Sequence, residues 1–185
     1  MIIPDEVLPG GIRLRLVSLG DAEALYSAYA ANRDHLAPWE PRRPDSFFTV
    51  EGQAERIREQ LRQFTEQRAV PWVFESHGAI IGTITLSGMA FGPFCSAYLG
   101  YWVAADQQNR GLASAGVASV CRAARAIGLH RIEATTLLDN APSQRVLSKN
   151  GFEPIGMAPR YLHINGEWRD HRLFQRILHD GPPSG

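Results

Sequence analysis

Gln108-Asn109-Arg110-Gly111-Leu112-Ala113-Ser114 separates an aromatic stretch, 98–103, from an alanine-rich one. The first reads as a strand. The second reads as a helix whose apolar stripe runs through Ala113, Val117, Val120, Cys121, Ala124 and Ile127. Glycine at the entry lets the backbone approach a ligand with no Cβ in the way. The first-turn N–H groups have no internal partners and carry the positive end of the helix dipole. A turn of this kind holds phosphates. Gly128 stops the helix and 131–137 is the next strand. The segment is therefore a parallel crossover unit with its ligand site at the carboxyl end of the first strand.

Working outward, Ile12, Leu14 and Leu16 alternate with Arg13 and Arg15, which predicts a strand with one buried face. Ser18 and Asp21 fit a helix start, with Ala22, Leu25, Tyr26 and Tyr29 at helical spacing. Residues 31–41 carry prolines on both sides of Trp39 and cannot be helical throughout. Trp39 either plugs the core beneath this loop or walls a cleft. Val50, Ala54, Ile57, Leu61 and Phe64 mark a second amphipathic helix, and 72–76 and 79–87 form a hairpin around His77-Gly78. Residues 96–103 are apolar or aromatic on both faces, as in a central strand. Further on, Asn140 caps a short helix with Pro142 in its first turn and Gly151 beyond its end, and Asn165-Gly166 joins strands 160–164 and 167–177. The expectation is an α/β (α+β) chain of about seven strands and four helices, one domain over 1–179 with a flexible tail at 180–185.

Composition excludes several function classes. The 185 residues are 44% hydrophobic, enough for a sizeable core, and net charge is zero, which argues against direct binding of a nucleic-acid backbone. No apolar run reaches the length of a membrane span and the N-terminus lacks a signal-peptide pattern, so a cytoplasmic protein with no membrane partner is expected. Cys95 and Cys121 read as buried free thiols. The six histidines show no metal-ligand spacing, so no metal is expected.

Four stretches together resemble the GNAT superfamily of acetyl-CoA-dependent N-acetyltransferases, in particular the subgroup of ribosomal-protein alanine and serine N-acetyltransferases. They are Asn32-Arg33-Asp34-His35-Leu36-Ala37-Pro38-Trp39-Glu40-Pro41; Tyr98-Leu99-Gly100-Tyr101-Trp102 leading into Gln108-x-x-Gly111-x-Ala113; Asn140-x-x-Ser143 with Lys149-Asn150-Gly151-Phe152; and Asn165-Gly166-Glu167-Trp168-Arg169-Asp170-His171. One departure, Arg-Gly-Leu-Ala over 110–113, changes side-chain packing but not the backbone amides.

The resemblance implies a sheet splayed between its fourth and fifth strands, with acetyl-CoA as co-substrate. Its pyrophosphate would meet Gln108, Asn109, Arg110, Gly111, Leu112, Ala113 and Ser114. Its pantetheine arm would run beside Gly100, Tyr101, Trp102 and Val103. Asn140 and Ser143 would reach the pantetheine and thiol end, with Ser143 protonating the leaving thiolate; a plain helix cap and a plain first-turn residue are the alternatives. Trp39, Glu40, Tyr161 and Trp168 are the candidate acceptor-binding residues, cross-strand packing explaining the last two equally well.

The need for a base can be sized. Deprotonating a lysine side chain at pH 7 costs about 4.6 kcal/mol, an α-amine only about 1 to 1.4 kcal/mol. Glu40 is the best candidate base, acting directly or through water, with a solvated loop carboxylate as the alternative reading; Glu133 and Asp170 suit surface or pairing roles better. Three functions remain: transfer to a protein N-terminal α-amine, such as that of a ribosomal protein; transfer to a small amine such as a polyamine, amino sugar or amino-acid derivative; or a CoA-binding regulator without turnover. Monomer and homodimer are both open.

Overall fold

The computed structural model describes residues 3–183. Its elements are β1 (Glu6–Leu8), β2 (Ile12–Leu16), α1 (Ala22–Ala31), α2 (Arg33–Leu36), α3 (Val50–Thr65), β3 (Val70–Ser76), β4 (Ala79–Ala90), β5 (Ser96–Val103), α4 (Leu112–Ala126), β6 (Arg131–Leu137), α5 (Ala141–Lys149), β7 (Glu153–Ile164) and β8 (Glu167–Ile177). The eight strands form one mixed sheet in the order β1-β2-β3-β4-β5-β6-β8-β7. Among the described residues, only β5 and β6 pair in parallel.

Strand alternation sorts the core into two layers. Trp72 and Phe74 of β3 pack with Val117, Val120 and Ala124 of α4, while Val73 between them faces Leu25 and Tyr29 of α1 and Ile57 of α3. The sheet thus lies between α4 and α5 on one face and α1 and α3 on the other. Gly116 sets how closely α4 approaches: a Cβ there would stand 2.4 Å from Cζ of Phe74. The junction between β2 and α1 is held by Arg15, which donates two 2.8 Å hydrogen bonds to the Asp21 carboxylate, itself accepting from the Ser18 amide at 2.7 Å.

The expected turns form as their residues require. His77 and Gly78 have φ of 50° and 82°, and Asn165 and Gly166 have 47° and 93°, the doubly left-handed conformation that suits a two-residue hairpin turn. Gly128 (φ 90°) follows α4 and Gly151 (φ 73°) follows α5. Cys95 and Cys121 are free and buried.

Three expectations need correction. Eight strands stand where about seven were expected, because 6–8 fold back on β2 as β1, and five α-helices stand where about four were expected, because 33–36 make one helical turn. The β7 strand begins at Glu153, seven residues before the predicted start. Pro154, Gly156 and Pro159 read as loop residues, yet β7 is the sheet edge, where a strand tolerates proline. Its pairing with β8 slips between Pro154 and Gly156 and again between Ala158 and Leu162, where Arg160 is left-handed (φ 51°) and its amide donates to Asp170 Oδ1 at 2.8 Å. Of the expected tail, 180–183 carry no helix or strand and 184–185 lie outside the described residues.

Gly116→Ala tests the packing of α4. Alanine favours helix, but the added methyl must displace the buried Phe74 ring, so the variant should lose about 1 to 3 kcal/mol in urea unfolding.

Candidate active site

The sheet opens in its middle. β4 pairs with β5 as far as Gly82↔Val103, but β5 pairs with β6 only at Ser96↔Arg131, Ala97↔Ile132 and Tyr98↔Glu133. β6 stays paired with β8 to Leu137↔His171. From Leu99 onward the two central strands diverge, as the splay requires, and the β6-facing edge of 99–103 has no ladder partner. A cleft of about 820 Å³ occupies the opening.

At one end of the cleft lies the turn into α4. Asn32, a buried side chain at the end of α1, accepts from the Ala105 amide at 2.9 Å and so fixes where the chain leaves β5. Asn109 (φ 60°) and Gly111 (φ 75°) are both left-handed and swing the chain into the helix. The first bond within α4 runs from the Ala115 amide to the Gly111 carbonyl, so the amides of Leu112, Ala113 and Ser114 have no helical partner. No side chain caps this end and no acid lies in its first turn. These three residues line the cleft with Gln108, Asn109 and Gly111. Arg110 does not; its guanidinium is 3.4 Å from Gln107 Oε1. The Leu112 side chain is buried in the core, leaving its backbone to the cleft.

The middle of the cleft is bridged by one side-chain pair. Tyr101 Oη of β5 and Ser143 Oγ of α5 are 2.9 Å apart across the opening. Burial pushes the Tyr101 phenol up to about 12, against a smaller opposing effect of Ser143, so it stays protonated at neutral pH. Asn140 Oδ1 accepts from the Ser143 amide at 3.1 Å: it is the N-cap of α5 and also lines the cleft. Trp102 turns its ring to the opposite layer, where Nε1–H donates to Tyr29 Oη at 3.0 Å, so its backbone is what a ligand alongside β5 would meet. Val103 also lines the cleft.

Trp39 and Glu40, just beyond α2, also line the cleft. Trp39 is 37% exposed. Glu40 is pushed up from the ordinary carboxylate range by burial, partly opposed by Arg43 and Arg56. Tyr161 and Trp168 are not part of the wall. Leu162 and Ile164 of β7 line the cleft, while the Tyr161 ring packs 5.5 Å from that of His171, and Trp168, 62% exposed, lies beside His163. From β8 the wall takes His171.

Sequence reasoning missed several lining residues. His35 Nε2 lies 3.3 Å from the Val103 carbonyl and 3.4 Å from Gln108 Nε2, and the signal available in sequence is its place in the 32–41 stretch beside Trp39 and Glu40. Arg145 and Lys149, four apart on α5, both line the cleft, and that spacing was the available signal. Thr136, 4% exposed, has Oγ1 buried without a hydrogen-bond partner among the described residues and lies in the same wall, which no sequence pattern discloses. Among the described residues, no group of three His, Cys, Asp or Glu side chains is placed to hold a metal, and no helix is long and apolar enough to cross a membrane.

Comparison with known proteins agrees with this geometry. Residues 12–153 match the family model described as an acetyltransferase (GNAT) domain. The ribosomal protein uS5 alanine N-acetyltransferase of Escherichia coli (strain K12) is 34% identical over 174 residues, 92% of this chain and 89% of the relative. Among solved structures, the ribosomal-protein-S5-alanine acetyltransferase from Vibrio fischeri is similar at TM-score 0.88 and 34% identity, over 91% of this chain and 94% of that one. RimJ of Mycobacterium smegmatis, solved in complex with CoA-disulfide, is similar at TM-score 0.87 and 34% identity, over 94% and 85%.

Ala113→Asp separates helix stability from anion binding at the turn. An acid in an uncapped first turn should stabilise α4 by about 0.3 to 1 kcal/mol. The same charge should weaken CoA binding by about tenfold through repulsion of the pyrophosphate. A higher melting temperature with a weaker calorimetric Kd is the expected result.

Proposed function

This chain belongs to the GNAT acetyltransferase family and is an acetyl-CoA-dependent N-acetyltransferase, and on that premise we propose that its acceptor is the α-amine of a protein N-terminus, a ribosomal protein in the first instance. The observation that carries this reading is Glu40. It is the one carboxylate lining the cleft among the described residues, beside Arg43, Arg145 and Lys149. A polyamine would need several carboxylates around it, and a lysine side chain would need a far stronger base. An α-amine needs to lose its proton at a cost of only about 1 to 1.4 kcal/mol at pH 7, within reach of one raised carboxylate. The relatives that modify ribosomal proteins favour the same acceptor.

The chain fits the co-substrate by its own groups. The free amides of Leu112, Ala113 and Ser114 suit the pyrophosphate, with Gln108, Asn109 and Gly111 shaping the turn and Arg145 and Lys149 adding positive charge. The unpaired edge of β5 at Gly100, Tyr101, Trp102 and Val103 offers backbone partners to the two amides of the pantetheine arm, with Asn140 nearby. Acetyl-CoA, when bound, supplies the acetyl group and a thiolate leaving group. Glu40 then takes the proton that the attacking amine releases, directly or through water. Ser143 Oγ–H donates to the departing sulfur, held in place by Tyr101. Trp39, Leu162 and Ile164 give the acceptor end apolar walls.

The direct test is CoA release with an alanine-initiated peptide, run beside the same peptide with its α-amine blocked and an internal lysine free. Release only from the free α-amine is expected; release from the blocked peptide would overturn the reading, as would silence with both once CoA binding is confirmed.

Glu40→Gln carries a paired prediction. At pH 7 the variant should lose about tenfold in kcat/KM, and the deficit should shrink towards pH 9, where the amine is already neutral. In the parent enzyme, activity should fall as pH drops through the raised Glu40 ionisation. A carboxyl that is harder to ionise folded than unfolded subtracts stability above its folded pKa, so Glu40→Gln should raise the melting temperature at neutral pH.

A further inference from the structure

Beyond Glu40 a second cavity of about 450 Å³ opens, sharing Leu36, Glu40, Pro41 and Arg43 with the cleft. It lies under the 41–48 segment, and Asn165 at the tip of the β7–β8 hairpin forms part of its wall. An acceptor whose amine reaches Glu40 from this side places its following residues here. The wall carries three arginines, Arg33, Arg42 and Arg43, against two acids, Glu40 and Asp45.

The state of these arginines matters more than their number. The Arg33 guanidinium lies over the Phe48 ring at 4.4 Å, and that of Arg43 over Phe47 at 4.9 Å. Behind them Arg56 lies 5.4 Å from the Tyr29 ring and 5.6 Å from Phe47, with Nη1 buried and unpartnered among the described residues. Stacking fixes a guanidinium plane without using its N–H donors, leaving the fork free for a carboxylate. The existing ion pairs are loose: Arg33 meets Asp45 at 3.5 Å, an acid 98% exposed, and Arg43 meets Glu40 at 3.7 Å. Arg42 has no ion-pair partner among the described residues. The cavity is therefore a positively charged, pre-arranged chamber next to the proposed base.

We infer that this chamber selects acceptors with an acidic side chain at the second or third residue of the chain that carries the reactive amine. The inference rests on the N-terminal reading above and narrows it. A chamber of drug-sized volume exceeds what one free amino acid fills, so the carboxylate belongs to a peptide.

The test is steady-state CoA release at low salt from alanine-initiated peptides that differ only at the second and third residues: Asp or Glu, Gln, or Lys. Free aspartate and glutamate serve as a separate arm. Acidic peptides should exceed glutamine peptides by about tenfold in kcat/KM, with the gain in KM and diminishing with salt. Arg42→Gln should shrink that ratio, and Arg42→Glu should shift preference towards lysine peptides, which mere loosening of the loop would not do. Equal rates for all peptides, or a lysine preference in the parent enzyme, would overturn the chamber's role while leaving N-terminal transfer standing. Turnover of free acidic amino acids without peptides, or of nothing at all, would overturn both.

Discussion

The parting of β5 and β6 after three residue pairs is the constraint on which the rest of the structure depends. Buried backbone groups normally find partners, so a sheet that opens in its centre forgoes hydrogen bonds on both strands. The opening survives because each strand keeps its other ladder: β5 is paired with β4 to its last residue, and β6 with β8 along its whole length. The gap is spanned by Tyr101 and Ser143. A further tie joins the two helices that border it. Asn150 Nδ2, at the end of α5, donates to Ser114 Oγ of α4 at 3.0 Å and to the Val146 carbonyl at 2.8 Å, while Arg176 of β8 donates to the Asn150 carbonyl at 2.7 Å. Helix starts and strand edges are thereby presented to one space.

That space is electrically asymmetric. Uncapped amides and the basic side chains of Arg43, Arg145 and Lys149 line it against a single carboxylate among the described residues, Glu40, made reluctant to ionise by burial. Such a lining suits a reaction that brings in a polyanionic donor and must remove one proton. Its cost falls on the folded state: a half-hidden Glu40 and a buried Thr136 hydroxyl with no hydrogen-bond partner among the described residues each subtract from stability.

Much of this was legible in the sequence, and what was not has physical reasons. Asn165-Gly166, Gly128 and Gly151 announce themselves because left-handed positions select few residues. The turn at 108–114 reads well because its two left-handed positions, Asn109 and Gly111, select the few residues that tolerate them. β1 escaped notice because three residues show no periodicity, and β7 because prolines on a sheet edge look like a loop. The slips in β7 leave no mark in composition, so which of its side chains meet His171 and the cleft is not legible in the sequence. His35, Arg145 and Lys149 are ordinary surface residues in sequence; only the way α2 and α5 face the opening makes them part of it.

The strand order carries a consequence for how the chain is made. β8 follows β7 in the chain yet lies between β6 and β7, so the outer strand has nowhere to dock until the inner one has emerged. During synthesis the long edge of β6 stands bare after α4 and α5 are in place, a template for pairing with another nascent chain. The turn into α4 can assemble earlier, whereas Leu162, Ile164 and His171 arrive together with the last hairpin. Premature termination before Glu167 would release a fragment that retains the turn into α4 and aggregates through β6.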